Sequence, residues 1–208
     1  MTDESAKGRL PVEVVVSTAA AMRALGRRLA ALLRAGDLVI LSGGLGAGKT
    51  TLTQGIGEGL GVRGPVTSPT FVIARVHPPA VAAGGASGPA GPEPALVHAD
   101  AYRLGSSLEL DDLDLDADTG ISVTVVEWGE GLAEGLAADR LEITITPIAG
   151  GGSPELDHVH DPGCSESFDD SEAWDGLDGD SPRTVRISGT GERWQDIKLP
   201  PADLADRL

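Results

Sequence analysis

Asp37-Leu38-Val39-Ile40-Leu41-Ser42-Gly43-Gly44-Leu45-Gly46-Ala47-Gly48-Lys49-Thr50-Thr51-Leu52-Thr53-Gln54 is the stretch that decides the fold. It opens on a short apolar run of the kind that forms a buried strand. It closes on a segment expected to be helical from Lys49 to about Leu60, with Gly61 just past its end. Between them stands G-x-x-x-x-G-K-T, and strand–loop–helix is the setting this pattern requires. Its glycines let successive backbone N–H groups curl round an anion, and the helix N-terminus adds partial positive charge. Gly43, Gly44, Leu45, Gly46, Ala47, Gly48, Lys49, Thr50 and Thr51 are therefore the expected phosphate-binding residues. Lys49 is expected to reach the β- and γ-phosphates, the Thr50 hydroxyl to ligate Mg²⁺, and Thr51 to meet the α-phosphate. The competing reading is a glycine-rich turn capping an ordinary helix. Against it, Lys49 is one of three lysines, the others being Lys7 and Lys198 near the ends, and an interior lysine needs a partner.

The base follows by exclusion. Guanine is read by an Asn-Lys-x-Asp segment, and the chain contains no asparagine. ATP with Mg²⁺ is the expected cofactor pair. Thr18, near the start of the first helix, is a candidate contact to adenine.

Working outward, β-branched or alternating runs predict strands at Val12–Ser17, Asp37–Ser42, Thr70–Val76, Leu96–Tyr102, Ser122–Trp128, Leu141–Thr146 and Thr184–Ser188. A helix is predicted over Ala19–Arg34, behind a Ser17-Thr18 cap signal. Shorter helical pieces are expected near Ser107–Leu113, Glu130–Ala137 and Pro201–Leu208. This alternation implies an α/β class with a mixed β-sheet flanked by helices and some antiparallel edges, of the P-loop NTPase kind. At 208 residues a single domain is expected. Its frame is a flexible N-terminus (1–11), a P-loop domain (12–199) and a helical C-terminal tail (200–208). Two insertions interrupt the domain: a Pro/Ala/Gly loop at about 78–94 and an acidic, disordered stretch at about 150–182.

The net charge of −16 has a local source. Between Ser153 and Pro182 stand Glu155, Asp157, Asp161, Glu166, Asp169, Asp170, Glu172, Asp175, Asp178 and Asp180, with no Lys or Arg. The imbalance therefore says little about the folded part. No basic patch with interleaved aromatics argues for direct nucleic-acid binding. No apolar run approaches the roughly 18 residues of a membrane span. The start, Met-Thr-Asp-Glu-Ser, lacks a basic segment and apolar core, so no signal peptide is read there. Cys164 is the sole cysteine, leaving neither an internal disulfide nor a cysteine-pair metal site. A cytoplasmic protein is expected.

Three further segments place polar groups at ends of predicted strands, where open α/β sheets gather ligands. In Thr67-Ser68-Pro69-Thr70-Phe71, Thr70 reads as a switch-loop hydroxyl sensing metal or γ-phosphate, or else as part of a plain Ser-Pro turn. In His98-Ala99-Asp100-Ala101-Tyr102-Arg103, alternation sends His98, Asp100 and Tyr102 to one face. Asp100 is a candidate to orient the attacking water or join the metal shell; the alternative is a satisfied structural carboxylate. In Val125-Val126-Glu127-Trp128, an apolar run ending in an acid is the form of a metal-side carboxylate opposite a P-loop. Glu127 is the expected second contact to Mg²⁺, set against a surface glutamate at a strand end. Phe71, Tyr102 and Trp128 are three of the chain's six aromatics and suggest a site with packed walls. The run Asp111, Asp112, Asp114, Asp116 and Asp118 is interrupted by leucines and lacks a closing Glu, so it reads as a solvated face rather than a calcium loop.

These residues together, in this order and spacing, resemble the bacterial tRNA threonylcarbamoyladenosine biosynthesis ATPases, the TsaE (YjeE) family. The resemblance runs from about Val12 to Trp194, excluding the two insertions. It implies a cytoplasmic P-loop ATPase acting with two partner proteins, TsaB and TsaD, to install threonylcarbamoyl on N6 of adenosine 37, with tRNA met only through the complex. It implies Lys49 and Thr50 on phosphate and Mg²⁺, Glu127 joining Thr50 on the metal, Asp100 positioning the hydrolytic water, and Trp128 close to the nucleotide. The family often has Asp where this chain has Gly44, so any role of that acid is absent. A small P-loop kinase and a nonhydrolysing ATP-dependent assembly switch are the rival readings.

Overall fold

The computed structural model describes residues 10–80, 94–104, 106, 109, 121–148 and 181–201. Expectations for the acidic stretch, the acidic run after 110, most of the 78–94 loop, the 107–113 helix and nearly all of the two termini lie outside them. The described chain forms one mixed sheet of seven strands. They are β1 (Val12–Val16), β2 (Leu38–Gly43), β3 (Ala74–His77), β4 (Ala95–Asp100), β5 (Ser122–Glu127), β6 (Arg140–Pro147) and β7 (Arg183–Thr190). Their spatial order is β1-β7-β6-β2-β5-β4-β3. β2 pairs in parallel with β5 and β6, and β4 in parallel with β5, while β1–β7, β6–β7 and β3–β4 are antiparallel. The expected P-loop-type α/β sheet with antiparallel edges is thus observed.

Helices α1 (Ala19–Ala30) and α2 (Lys49–Gly59) cover one face. Met22, Leu25 and Leu29 of α1 and Leu52 and Ile56 of α2 are buried with Val39, Leu41, Val125 and Ile143 of the sheet. The helices approach closely because Gly26 and Gly55 lie at their crossing. A Cβ at Gly26 would collide with the Leu52 carbonyl oxygen, and one at Gly55 with that of Arg23. The opposite face is thinner: Leu38, Ile40, Val97 and Val126 are roofed by Leu104, Ala133, Leu132 and Leu136. Arg193 ties the β2 entrance to the chain's later part, donating to both oxygens of Asp37 and to the Leu32 carbonyl.

Several predicted bounds are corrected. α1 stops at Ala30 instead of Arg34, because Leu32 and Leu33 bond back three residues to Leu29 and Ala30, which tightens the last turn. Thr70–Ile73 is a turn, not strand: Val72 and Ile73 both donate to the Pro69 carbonyl, and Ile73 takes a positive φ of 67° before β3 begins at Ala74. β4 ends at Asp100, so Tyr102 falls in a 3-10 turn (Ala101–Arg103) and the expected common face for His98, Asp100 and Tyr102 holds only for the first two. The Glu130–Ala137 helix reduces to one 3-10 turn, Glu134–Leu136, in a segment weakened by Gly129, Gly131 and Gly135. Pro78–Ala80, the start of the expected flexible loop at about 78–94, is anchored: Arg63 donates to the Pro78 carbonyl and Ala80 to that of Gly61.

Candidate functional site

The loop after β2 has the geometry that its glycines dictate. Gly43, Gly46 and Gly48 have φ of 145°, 72° and 105°, values that L side chains rarely adopt. At Gly48 a Cβ would also stand 3.3 Å from the Met22 side chain, so α1 backs the loop through Met22. Gly44 differs: a Cβ there meets nothing within 4 Å, so no steric need for glycine exists at this position. Gly48 leads directly into α2, whose first-turn amides face the loop with no side-chain cap. Leu45 is exposed at the loop's tip, whereas Ala47 is buried beneath it. Thr51 lies in the first turn of α2.

Lys49, the first residue of α2, is only 5% exposed. Its Nζ donates to the carbonyls of Gly43 (2.8 Å) and Gly44 (2.9 Å) and sits 3.6 Å from the centre of the Trp128 ring. Burial lowers its pKa; the negative charges of Glu127 and Asp100 oppose that shift. Trp128 reaches the ammonium because it leaves β5 with a positive φ of 59°, its own N–H held by the Leu41 carbonyl at 2.8 Å.

Parallel pairing of β2 with β5 and of β5 with β4 puts Leu41, Glu127 and Asp100 level with one another. All three strands therefore deliver their ends to the loop, at the carboxyl edge where such sheets bind ligands. Glu127 is 3% exposed, so it is no surface glutamate. Its Oε2 accepts from the Thr50 hydroxyl at 3.1 Å, and its Oε1 is 2.7 Å from His98 Nε2. Asp100 is also buried, with Oδ2 accepting from Thr70 and Oδ1 from the Tyr102 N–H at 2.9 Å. Ser68 Oγ lies 2.7 Å from Thr70 Oγ1, Arg103 stacks on Phe71, and Tyr102 packs on Trp128 with ring centres 5.1 Å apart.

The structure thus gathers Lys49, Thr50, Glu127, Asp100, Trp128 and Thr70 round one loop mouth. Thr18 is not among them: its hydroxyl accepts from the Ala21 N–H and caps α1. His98, one alternation before Asp100, has no role that its place in the sequence reveals. The missing information was the β4–β5 register, which brings its ring to Glu127.

The donor set fits a hard cation bound together with phosphate. The Thr50 hydroxyl and the Glu127 carboxylate are adjacent, 3.1 Å apart, and offer two hard oxygens side by side. That suits Mg²⁺, which takes one or two protein oxygens and completes its shell from phosphates and water. Among the described residues no helix is long and apolar enough to cross a membrane.

Residues 16–150 match the family described as Threonylcarbamoyl adenosine biosynthesis protein TsaE. The chain is 60% identical over 148 residues to the tRNA threonylcarbamoyladenosine biosynthesis protein TsaE of Streptomyces coelicolor, covering 71% of this chain and 93% of that one. Its likeness to the namesake protein of Bacillus subtilis is 39% over 124 residues, covering 59% and 70%. The crystal structure of YdiB from the same genus and species aligns over 88% of each chain, with a TM-score of 0.55 and 27% identity. With sequence, fold and relatives in agreement, the chain belongs to the TsaE family of threonylcarbamoyl adenosine biosynthesis proteins.

Proposed function

We propose that this chain is the Mg²⁺-dependent, ATP-hydrolysing component of the cytoplasmic machinery that makes N6-threonylcarbamoyladenosine at tRNA position 37, and that it supports turnover of a TsaB–TsaD complex. The observation that carries the ATPase part is the meeting of Thr50 and Glu127 beside Lys49 at the mouth of a loop built on left-handed glycines. Backbone amides of residues 43–50 bind the phosphates, and Lys49 neutralises charge on the β- and γ-groups. Mg²⁺, when bound through Thr50 and Glu127, supplies charge compensation for the transferring phosphoryl group. Asp100 aligns the attacking water. Its two hydrogen bonds, from Thr70 and Tyr102, hold it still and tie that task to the conformation of the Ser68–Ile73 turn. Trp128 walls the triphosphate and Thr18 remains the candidate near adenine. tRNA is met through the partners, and no membrane is involved.

Arg103, whose guanidinium stacks on Phe71 at 5.3 Å, is a candidate arginine finger, as is a residue supplied by a partner. Slow hydrolysis by the isolated chain is expected, with stimulation in the complex. Phosphate release is measured with and without TsaB and TsaD. Stimulation supports the reading, and equal, fast rates contradict it. A small-molecule kinase would instead transfer phosphate to an added nucleoside or sugar, and a nonhydrolysing switch would assemble with partners at no ATP turnover.

A further inference from the structure

We infer that His98 is a positioning residue for the metal-side carboxylate: by donating from Nε2 to Glu127 Oε1, it aims the second oxygen, Oε2, at Thr50. The inference rests on reading Thr50 and Glu127 as the Mg²⁺ contacts. Glu127 sits at the last position of β5, and the torsion that turns a glutamate's carboxylate plane is broad and roughly two-fold. Strand geometry alone therefore fixes where the carboxylate lies but not which way it faces. The 2.7 Å bond from a fully buried imidazole supplies that missing constraint. With Glu127 as the carboxylate that a metal contact requires, its oxygen accepts and the ring donates from Nε2. The other ring nitrogen, Nδ1, is buried without a hydrogen-bond partner, so one nitrogen of the ring, not both, has a polar task. His98 is placed for that task by the parallel β4–β5 pairing, which sets it level with Val125 and Asp100, two residues on, level with Glu127.

This division of the ring gives a test that separates aiming from simple filling of the core. The side-chain amide nitrogen of glutamine can stand where Nε2 stands, whereas that of asparagine stands nearer the place of Nδ1. His98→Gln therefore keeps a donor for Glu127, and His98→Asn removes it while leaving a polar amide in the same cavity. ADP affinity is titrated calorimetrically with Mg²⁺ and with EDTA, and the ratio of the two Kd values measures how strongly metal and nucleotide are coupled. His98→Asn is expected to reduce that ratio by about tenfold or more, in line with loss of a partner that orients a metal ligand, with metal-free ADP affinity nearly unchanged. His98→Gln is expected to retain most of the ratio. Far-UV circular dichroism and a melting curve on the same samples establish folding. Should His98→Asn fail to fold, His98→Leu, which fills the cavity without a donor, takes its place: coupling lost with leucine and kept with glutamine supports the inference, and equal coupling in the two folded variants overturns it. An unchanged ratio in folded His98→Asn overturns it as well. A wild-type chain that binds ADP without any metal coupling overturns both this inference and the Mg²⁺ reading beneath it, which distinguishes the two failures.

Discussion

The loop Gly43–Thr50 and the paired turns Ser68–Ile73 and Ala101–Arg103 face each other across the same site but are held by different means. The loop is made by backbone: three glycines in positive-φ conformations, a helix start, and a lysine whose ammonium bonds two carbonyls. The other wall is made by side chains. Thr70 on Asp100, Arg103 on Phe71 and Tyr102 on Trp128 join it, while Phe71 is 85% and Tyr102 64% exposed. A wall with few buried apolar contacts opens at low free-energy cost, whereas a loop rooted in the central strand opens only with the core. This contrast amounts to a division of labour in which one wall binds and the other responds.

The largest effect is expected at Lys49. Lys49→Ala removes charge-assisted bonds to phosphate, each on the order of 1.5–3 kcal/mol. ATP affinity by calorimetry should fall about 100-fold or more, with folding retained. Full affinity in that variant would mean that the loop is not the holder.

Next comes a pair within the loop. Gly48→Ala places a side chain at a φ of 105° and against Met22, which should cost about 1–2 kcal/mol in urea unfolding. Gly44→Ala meets open space and should stay within about 0.5 kcal/mol of the parent chain. Equal costs at the two positions would deny that backbone conformation makes the cradle.

On the other wall, Thr70→Ala should cost about 1 kcal/mol, because the lost bond is half-exposed. ATP affinity should persist while turnover drops, as expected if the turn responds rather than binds. A loss of affinity as large as that of Lys49→Ala would erase the distinction between the walls.

The smallest effect concerns pH. His77, at the end of β3, is buried, and burial first, then the nearby His98 and Arg75 charges, lower its pKa from 6.5. As the pH falls below about 6.5 the unfolded chain takes up a proton that the folded chain refuses. The stability contributed by neutral His77 is therefore full above that value and is lost as pH falls through the folded-state pKa. Melting temperatures between pH 7.5 and pH 5.5 should fall, and His77→Gln should flatten the slope.

The same contrast explains what the sequence made legible. The loop's structure is dictated by consecutive residues, so Asp37–Gln54 could be read directly as strand, cradle and helix. Glu127 and Asp100 were legible as acids closing apolar runs. Their neighbours were not, because side-chain partners depend on pairing between strands far apart in the chain. The His98 bond to Glu127 needed the β4–β5 register. Tyr102 left the strand because the Asp100 side chain caps the turn that follows it, a local competition that alternation of residue types does not reveal. Thr70–Ile73 carried β-branched residues typical of a strand, yet Pro69 nucleated a turn there.

On this account the cradle at residues 43–50, completed by Thr50 and Glu127, binds a magnesium nucleotide. Isothermal calorimetry of the full chain with ATP, in Mg²⁺ and in EDTA, decides the matter. One site per chain that tightens markedly when Mg²⁺ is present is the predicted result. A well-folded chain that gives no ATP binding, or the same affinity in both buffers, would contradict it.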